Sequence, residues 1–239
     1  KKQNVHLYKD DMVTIQMLDE KDEIAYDPHP IDICYEDDIV LIVNKPAYLL
    51  VHSDGSNTSK TLYNRVAYYY HQKKYPYKVR AIHRLDYETS GLVFFCKVAF
   101  FQPLLDHWLS AKKIHREYLA ICEGILKNDI TINKPIGRDR HDAKKMRISP
   151  NGKYACTHVK VIKQAQHKSL IHCRLETGRT HQIRVHLASI GHPLLHDKLY
   201  GKASKERMLL HAFRISFLHP LTNHEKVVEC RPDFLKTTH

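Results

Sequence analysis

Glycine is scarce and scattered, eight residues in 239, and nowhere does it build a Gly-rich phosphate loop. That argues against a nucleotide cofactor cradled by backbone amides. No Gly-x-Ser-x-Gly elbow is present, which removes the usual seat of a serine hydrolase. The six cysteines, at 34, 96, 122, 156, 173 and 230, include no Cys-x-x-Cys pair. Several sit in apolar strand-like runs, such as Phe95-Cys96 and Ile121-Cys122, and read as reduced core residues of a cytosolic protein. No stretch approaches the roughly 20 apolar residues of a membrane-spanning helix. Histidine is plentiful, 19 residues, yet His181 with His186 and His192 with His196 offer no three-ligand set at zinc spacing. No metal is therefore expected. The chain opens Lys1-Lys2-Gln3-Asn4, with neither an apolar leader nor an initiator Met, the opening expected of part of a longer protein.

What the chain does have is positive charge. The formal net charge is +12 with histidine counted neutral. Such a balance attracts polyanions, and nucleic acid is favoured over an anionic membrane surface. Hydrophobic content of 43% is ordinary for a globular protein, and the length suits one large domain or two small ones. The expectation is a cytoplasmic monomer.

The pattern along the chain predicts the architecture. Asp10 to Met17 alternates like a short strand. Asp27-Pro28-His29-Pro30 marks a boundary. Ile31–Tyr35 and Ile39–Lys45 read as a hairpin, and residues 60–74 carry Leu62, Val66 and Tyr70 at helical spacing. Leu92–Val98 reads as a buried strand, Phe101–Lys113 as a helix, and Glu117–Gly124 as a strand. Residues 134–153 read as a very basic loop. Ala155–Ile162 and Ser169–Glu176 follow as strands, then a helix over Gln182–Ile190 stopped by Gly191. Leu209–Leu218 and Lys226–Cys230 close the chain as strands. Strands adjoin in sequence with few helices between them, so the fold class is α+β, a mixed and mainly antiparallel sheet flanked by helices.

Two polar runs stand out. His83-Arg84-Leu85-Asp86-Tyr87-Glu88-Thr89-Ser90-Gly91-Leu92 sets an acid behind a basic residue and then turns into an apolar run. On generic chemistry, an Asp before Thr-Ser-Gly is a turn or cap residue. Thr177-Gly178-Arg179-Thr180-His181-Gln182-Ile183-Arg184-Val185-His186-Leu187 packs a tight turn, two arginines and two histidines at a helix start. That suits a phosphate or a carboxylate, and equally a solvated basic face.

Together with Val43-Asn44-Lys45-Pro46, Leu49-Leu50-Val51-His52, Arg116-Glu117-Tyr118-Leu119-Ala120, Lys134-Pro135-Ile136-Gly137-Arg138, Gly191-His192-Pro193-Leu194 and Leu210-His211-Ala212, these runs occur in one order over about residues 31 to 235. In that order the chain resembles the RluA-type family of RNA pseudouridine synthases. The resemblance implies a catalytic domain over residues 29–239, preceded over residues 1–28 by the tail of an N-terminal RNA-binding domain plus linker. It implies isomerisation of a specific uridine in large-subunit rRNA or tRNA, without a cofactor. Asp86 matches the family's catalytic aspartate and nucleophile. Arg184 matches the arginine that keeps this carboxylate charged and aimed. Tyr118 matches the tyrosine that stacks on uracil and helps remove the carbon-5 proton. Arg84 is expected to fill the space left by the flipped base. His83, Arg179, Arg138, Lys144, Lys145 and Arg147 are expected to bind RNA, chiefly through phosphates. The rival expectation is a catalytically silent RNA-binding protein on the same fold. There are two departures from the pattern. His196-Asp197-Lys198 stands where the family usually has Gly-Asp-Pro, and Tyr48 where it often has Gly. Neither falls on the expected acid or its partner, and both bear on loops near the RNA.

Overall fold

Long apolar runs that are buried on both faces form the middle of the sheet. Strand β1 (Asp32–Glu36) pairs antiparallel with β2 (Val40–Lys45), which pairs with β3 (Ser90–Cys96). Every residue of β3 is buried, which is why it reads as continuous rather than alternating hydrophobicity. The computed structural model describes residues 6–16, 19–20, 23–55, 59–202 and 204–235.

Beyond β3 the elements are β4 (His115–Glu123), β5 (Ile130–Asn133), β6 (Ile136–Arg138), β7 (Met146–Ile148), β8 (Cys156–Ala165), β9 (Lys168–Leu175), β10 (Leu210–Leu218) and β11 (Glu225–Glu229). The main sheet runs β1-β2-β3-β10-β4-β9-β8-β5, with β11 also on β10. Its pairings are antiparallel except β3 with β10. At that join Gly91 has φ +115, and a Cβ there would run into the backbone of Ala212. Only glycine permits this approach, and it brings β3 and the turn before it against β10.

Among the described residues three α-helices pack on the sheet. Helix α1 (Leu62–Gln72) begins at a reciprocal cap between Thr61 and Asn64, and buries Leu62, Val66 and Tyr70 against Leu41, Val43 and Phe95. Helix α2 (Gln102–Ser110) follows a short 3₁₀ turn, and its Leu105 packs on the other face with Ile42, Leu92, Phe94 and Phe217. Helix α3 (Gln182–Ala188) sends Ile183 and Leu187 to the α1 side. Among the described residues no helix is long and apolar enough to cross a membrane.

The expected α+β class and mainly antiparallel sheet are what the structure has. Three local expectations change. Residues 10–16 are not a strand, and Met17 lies outside the described residues. The basic loop over 134–153 contains the hairpin β6–β7, because Ile136, Met146 and Ile148 pack beneath it with Ala155, Val185 and Tyr200. Edge strand β5 was not anticipated from its four residues. The segment around the boundary at Asp27 is held to α1: Asn64 donates to the Ala25 carbonyl, and buried Asp27 accepts from Arg65 Nε.

Candidate active site

The run from His83 to Leu92 turns back on itself as it enters β3. Ile82 N–H donates to the Phe94 carbonyl, and Thr89 N–H closes a turn onto the Asp86 carbonyl. Asp86 is thus carried on a tight turn at the start of a buried strand, with its side chain one-fifth exposed. Arg84 and Asp86, two residues apart, both line a cleft of about 520 Å³. Tyr118, Arg116, His181 and Arg184 line the same cleft.

Arg184 is brought to Asp86 by α3, with its Nη1 3.8 Å from Asp86 Oδ2. Its stronger bonds go elsewhere. Nε and Nη2 form a fork onto Asp197, at 2.8 and 2.7 Å, and Nη2 also reaches Glu88 at 2.8 Å. The guanidinium also lies 5.3 Å from the centre of the Tyr200 ring. Burial acts to lower the Arg184 pKa, but the Asp197 hydrogen bonds and the charges of Asp197, Asp86 and Glu88 outweigh it and leave it raised. The arginine expected to serve Asp86 alone is locked by two further carboxylates and presents its remaining nitrogen to the catalytic candidate. Asp197 is fully buried. It is the one residue of His196-Asp197-Lys198 that keeps the family's Gly-Asp-Pro pattern, and spacing alone did not reveal its place at the site.

His181 forms the other wall. It sits at the helix start with φ 55, a left-handed conformation that costs a non-glycine residue strain. Its Nε2 is 3.9 Å from Asp86 Oδ2, and its Nδ1 is hydrogen-bonded to the Tyr200 hydroxyl. That hydroxyl accepts from the Met146 N–H, which ties β7 to the site. Burial lowers the His181 pKa, with Asp86 opposing, so the ring is neutral at physiological pH. Behind it, the Gln182 amide is saturated: it donates to the Cys156 carbonyl and Thr157 Oγ1, and accepts from Thr177 Oγ1 and the Arg179 N–H. This holds the turn over residues 177–179 rigid.

Tyr118, in β4, is 5% exposed, and burial raises its pKa. Among the described residues no side chain hydrogen-bonds its hydroxyl, which leaves it for a molecule in the cleft. Beneath the Asp86 turn lies Lys45, which is fully buried. Its Nζ donates to the carbonyls of Pro46, Leu49 and Tyr87 at 2.9, 2.8 and 3.4 Å. Three acceptors match the three hydrogens of an ammonium. Burial pulls the Lys45 pKa down to about 7, with the charge of Asp86 opposing.

The expected RNA-binding residues divide. Arg84 is exposed at the cleft, and Arg179 lines it with Nε on the Tyr154 carbonyl. His83 is buried and its Nε2 accepts from the Phe94 N–H. Desolvation, then the nearby Arg116, drives its pKa down to about 3, so it is a neutral residue in the wall of the cleft. Arg138, Lys144, Lys145 and Arg147 lie on the β6–β7 hairpin and its tip, outside the cleft walls. One group that spacing did not reveal forms across β8 and β9. The donor atoms of Cys156, His158 and Glu176 lie within 4.8 Å of one another. Glu176 already bonds His158 Nε2 and Lys112 Nζ, both at 2.7 Å, an ion-pair network at the cleft mouth.

The sequence matches the family described as RNA pseudouridylate synthase over residues 39–189. It is 43% identical over 232 residues to a Bacillus subtilis (strain 168) protein named "Uncharacterized RNA pseudouridine synthase YhcT", covering 95% of this chain and 77% of that one. It is 40% identical to "Ribosomal large subunit pseudouridine synthase D" of Neisseria meningitidis serogroup B, covering 87% of this chain and 60% of the relative. The solved structure "Human RNA Pseudouridylate Synthase Domain Containing 1" superposes with a TM-score of 0.71 at 26% identity, over 85% of this chain and 83% of that one.

Proposed function

The chain belongs to the RNA pseudouridine synthase family, a family of isomerases, and on that premise we propose that it converts a uridine of large-subunit rRNA to pseudouridine with Asp86 as nucleophile. The observation that carries the reading is Asp86 itself: a carboxylate at the foot of a cleft, one-fifth exposed, with Arg184 3.8 Å and His181 3.9 Å away. The choice of large-subunit rRNA follows the name of relatives such as the Neisseria protein.

The reaction exchanges the C1′–N1 bond for a C1′–C5 bond. The proton lost from C5 is balanced by the one gained at N1, so the change is redox-neutral and calls for no cofactor. Asp86 attacks C1′ as the C1′–N1 bond breaks; the freed uracil turns, its C5 attacks C1′ and releases Asp86, and C5 then loses its proton as N1 takes one up. Arg184, fixed by Asp197 and Glu88, holds that carboxylate in place without having to reorganise. The Tyr118 ring supports the uracil by stacking. Because burial keeps the phenol protonated, it serves as a hydrogen-bond donor to the base, and proton removal from C5 does not rest on a resident phenolate. Arg84, exposed beside Asp86, fills the stack when the uridine is flipped out, which offsets part of a cost of about a few kcal/mol.

Mapping pseudouridine in rRNA from cells lacking the gene tests this. One site is expected to disappear, to return with the wild-type gene, and to stay absent with Asp86→Asn. Restoration by Asp86→Asn would overturn Asp86 as the nucleophile, and an unchanged pseudouridine map in cells lacking the gene would leave the silent RNA-binding reading in its place.

A further inference from the structure

Beside the turn that carries Asp86, and outside the residues that line its cleft, the molecule exposes two large aromatic rings that the proposed chemistry does not use. Tyr87 follows Asp86 directly and is 49% exposed, and Tyr48 is 43% exposed. Their rings meet edge to face, with centroids 5.7 Å apart and planes at 62°. In such a pair one ring presents its edge and the other keeps a face open.

The arrangement is held at a cost. Tyr48 has φ 63, a left-handed conformation disfavoured for a bulky side chain. Its N–H donates to the Tyr87 carbonyl at 2.7 Å, which clasps the two segments together. The same Tyr87 carbonyl, with those of Pro46 and Leu49, receives the buried Lys45 ammonium. A lysine withdrawn from water is expensive. Here it fixes both turns that carry the exposed rings. Tyr48 also walls a second cavity of about 410 Å³, whose lining includes Arg65, Arg207 and Arg231.

We propose that Tyr48 and Tyr87 form a stacking platform for the RNA base flanking the uridine that enters the Asp86 cleft, with Lys45 as its positioning residue. The inference rests on RNA being the substrate, as proposed above. Aromatic rings stack on any base, so the platform adds affinity and places the flanking nucleotide without reading its identity. The net charge of +12 favours RNA over other occupants of an exposed aromatic surface.

The left-handed backbone at Tyr48 makes the test discriminating. Tyr48→Gly removes the ring and relieves the strain, so its thermal midpoint should equal or exceed that of the wild type. The probe is a single-stranded RNA oligonucleotide with a central uridine flanked by 2-aminopurine, whose fluorescence falls on stacking. Wild type should quench one flanking position. Tyr48→Gly should lose that quench and bind about tenfold more weakly, within the range for one base–aromatic stack, and Tyr48→Phe should keep both. On rRNA substrate, Tyr48→Gly should raise KM and leave kcat in place, whereas Lys45→Met, which also loosens the turn that carries Asp86, should change both. Wild-type affinity and quench in Tyr48→Gly, or no quench by the wild type, would overturn the platform. A Tyr48-dependent quench with no pseudouridine formed by the wild type would overturn the proposed reaction and keep the platform.

Discussion

The α3 wall of the cleft and the β6–β7 hairpin are both rich in cationic side chains and treat them in opposite ways. On α3, Arg184 is 3% exposed and is shared among Asp197, Glu88 and Asp86. On the hairpin, Arg138, Arg140 and Lys144 are exposed, and the aspartates between them, Asp139 and Asp142, accept from backbone N–H groups of the hairpin tip. The first arrangement spends its charge on holding geometry; the second leaves charge in water, ready for a polyanion. Equal formal charge therefore carries different roles, decided by burial and by which carboxylates lie within reach.

Substitutions can sharpen or break this contrast. The largest effect is expected at the point the buried arrangement serves. Asp86→Asn should keep RNA binding and lose activity by a factor on the order of 10⁴ or more in single-turnover assays. Next comes Asp197→Asn, which strands a buried guanidinium. Chemical denaturation should show a loss of about 3–5 kcal/mol, and Glu88→Gln, at a carboxylate 21% exposed, should cost less. If the two cost the same, the fork onto Asp197 is not what fixes Arg184.

Lys45 gives a smaller, pH-dependent effect. Its pKa falls from 10.5 in the unfolded chain to about 7 in the fold. The unfolded chain therefore binds the extra proton across that window, so this group's contribution to stability rises with pH from about 7 toward 10.5 and is lost as pH falls through 7. Thermal midpoints measured from pH 7 to 9 should climb more steeply for wild type than for Lys45→Met, and parallel slopes would count against the assignment. The smallest effects belong to the hairpin. Arg138→Ala and Lys144→Ala should each change stability by less than about 0.5 kcal/mol. Each should also lower the slope of log affinity against log salt by about 0.7. A large stability loss at either position would erase the distinction between the two regions.

Much of this was legible in the chain. The runs around β2, β3, β4, β9 and β10 have lengths and apolar patterns that mark strands, and Leu62, Val66 and Tyr70 mark α1 by spacing. Asp86, Tyr118 and Arg184 were named from ordered motifs, and the fold brings all three to one cleft. The β6–β7 hairpin was not legible, because three-residue strands carry too little periodicity, and its packing partners Val185 and Tyr200 are distant in sequence. The burial of His83 was not legible either, because a basic residue beside an arginine in a polar run gives no sign of it.

The sequence by itself determined the order of the longer elements, the class of sheet, the excess of positive charge and the meeting of Asp86, Tyr118 and Arg184, since these follow from local periodicity and from motifs written in order. Only the tertiary structure decided what each charge does. Arg184 finds Asp197 thirteen residues away and Glu88 ninety-six away, and Lys45 finds the Tyr87 carbonyl forty-two away. Coulombic and hydrogen-bond energies depend on distance and on exclusion of water. Neither is a property of a residue's place along the chain.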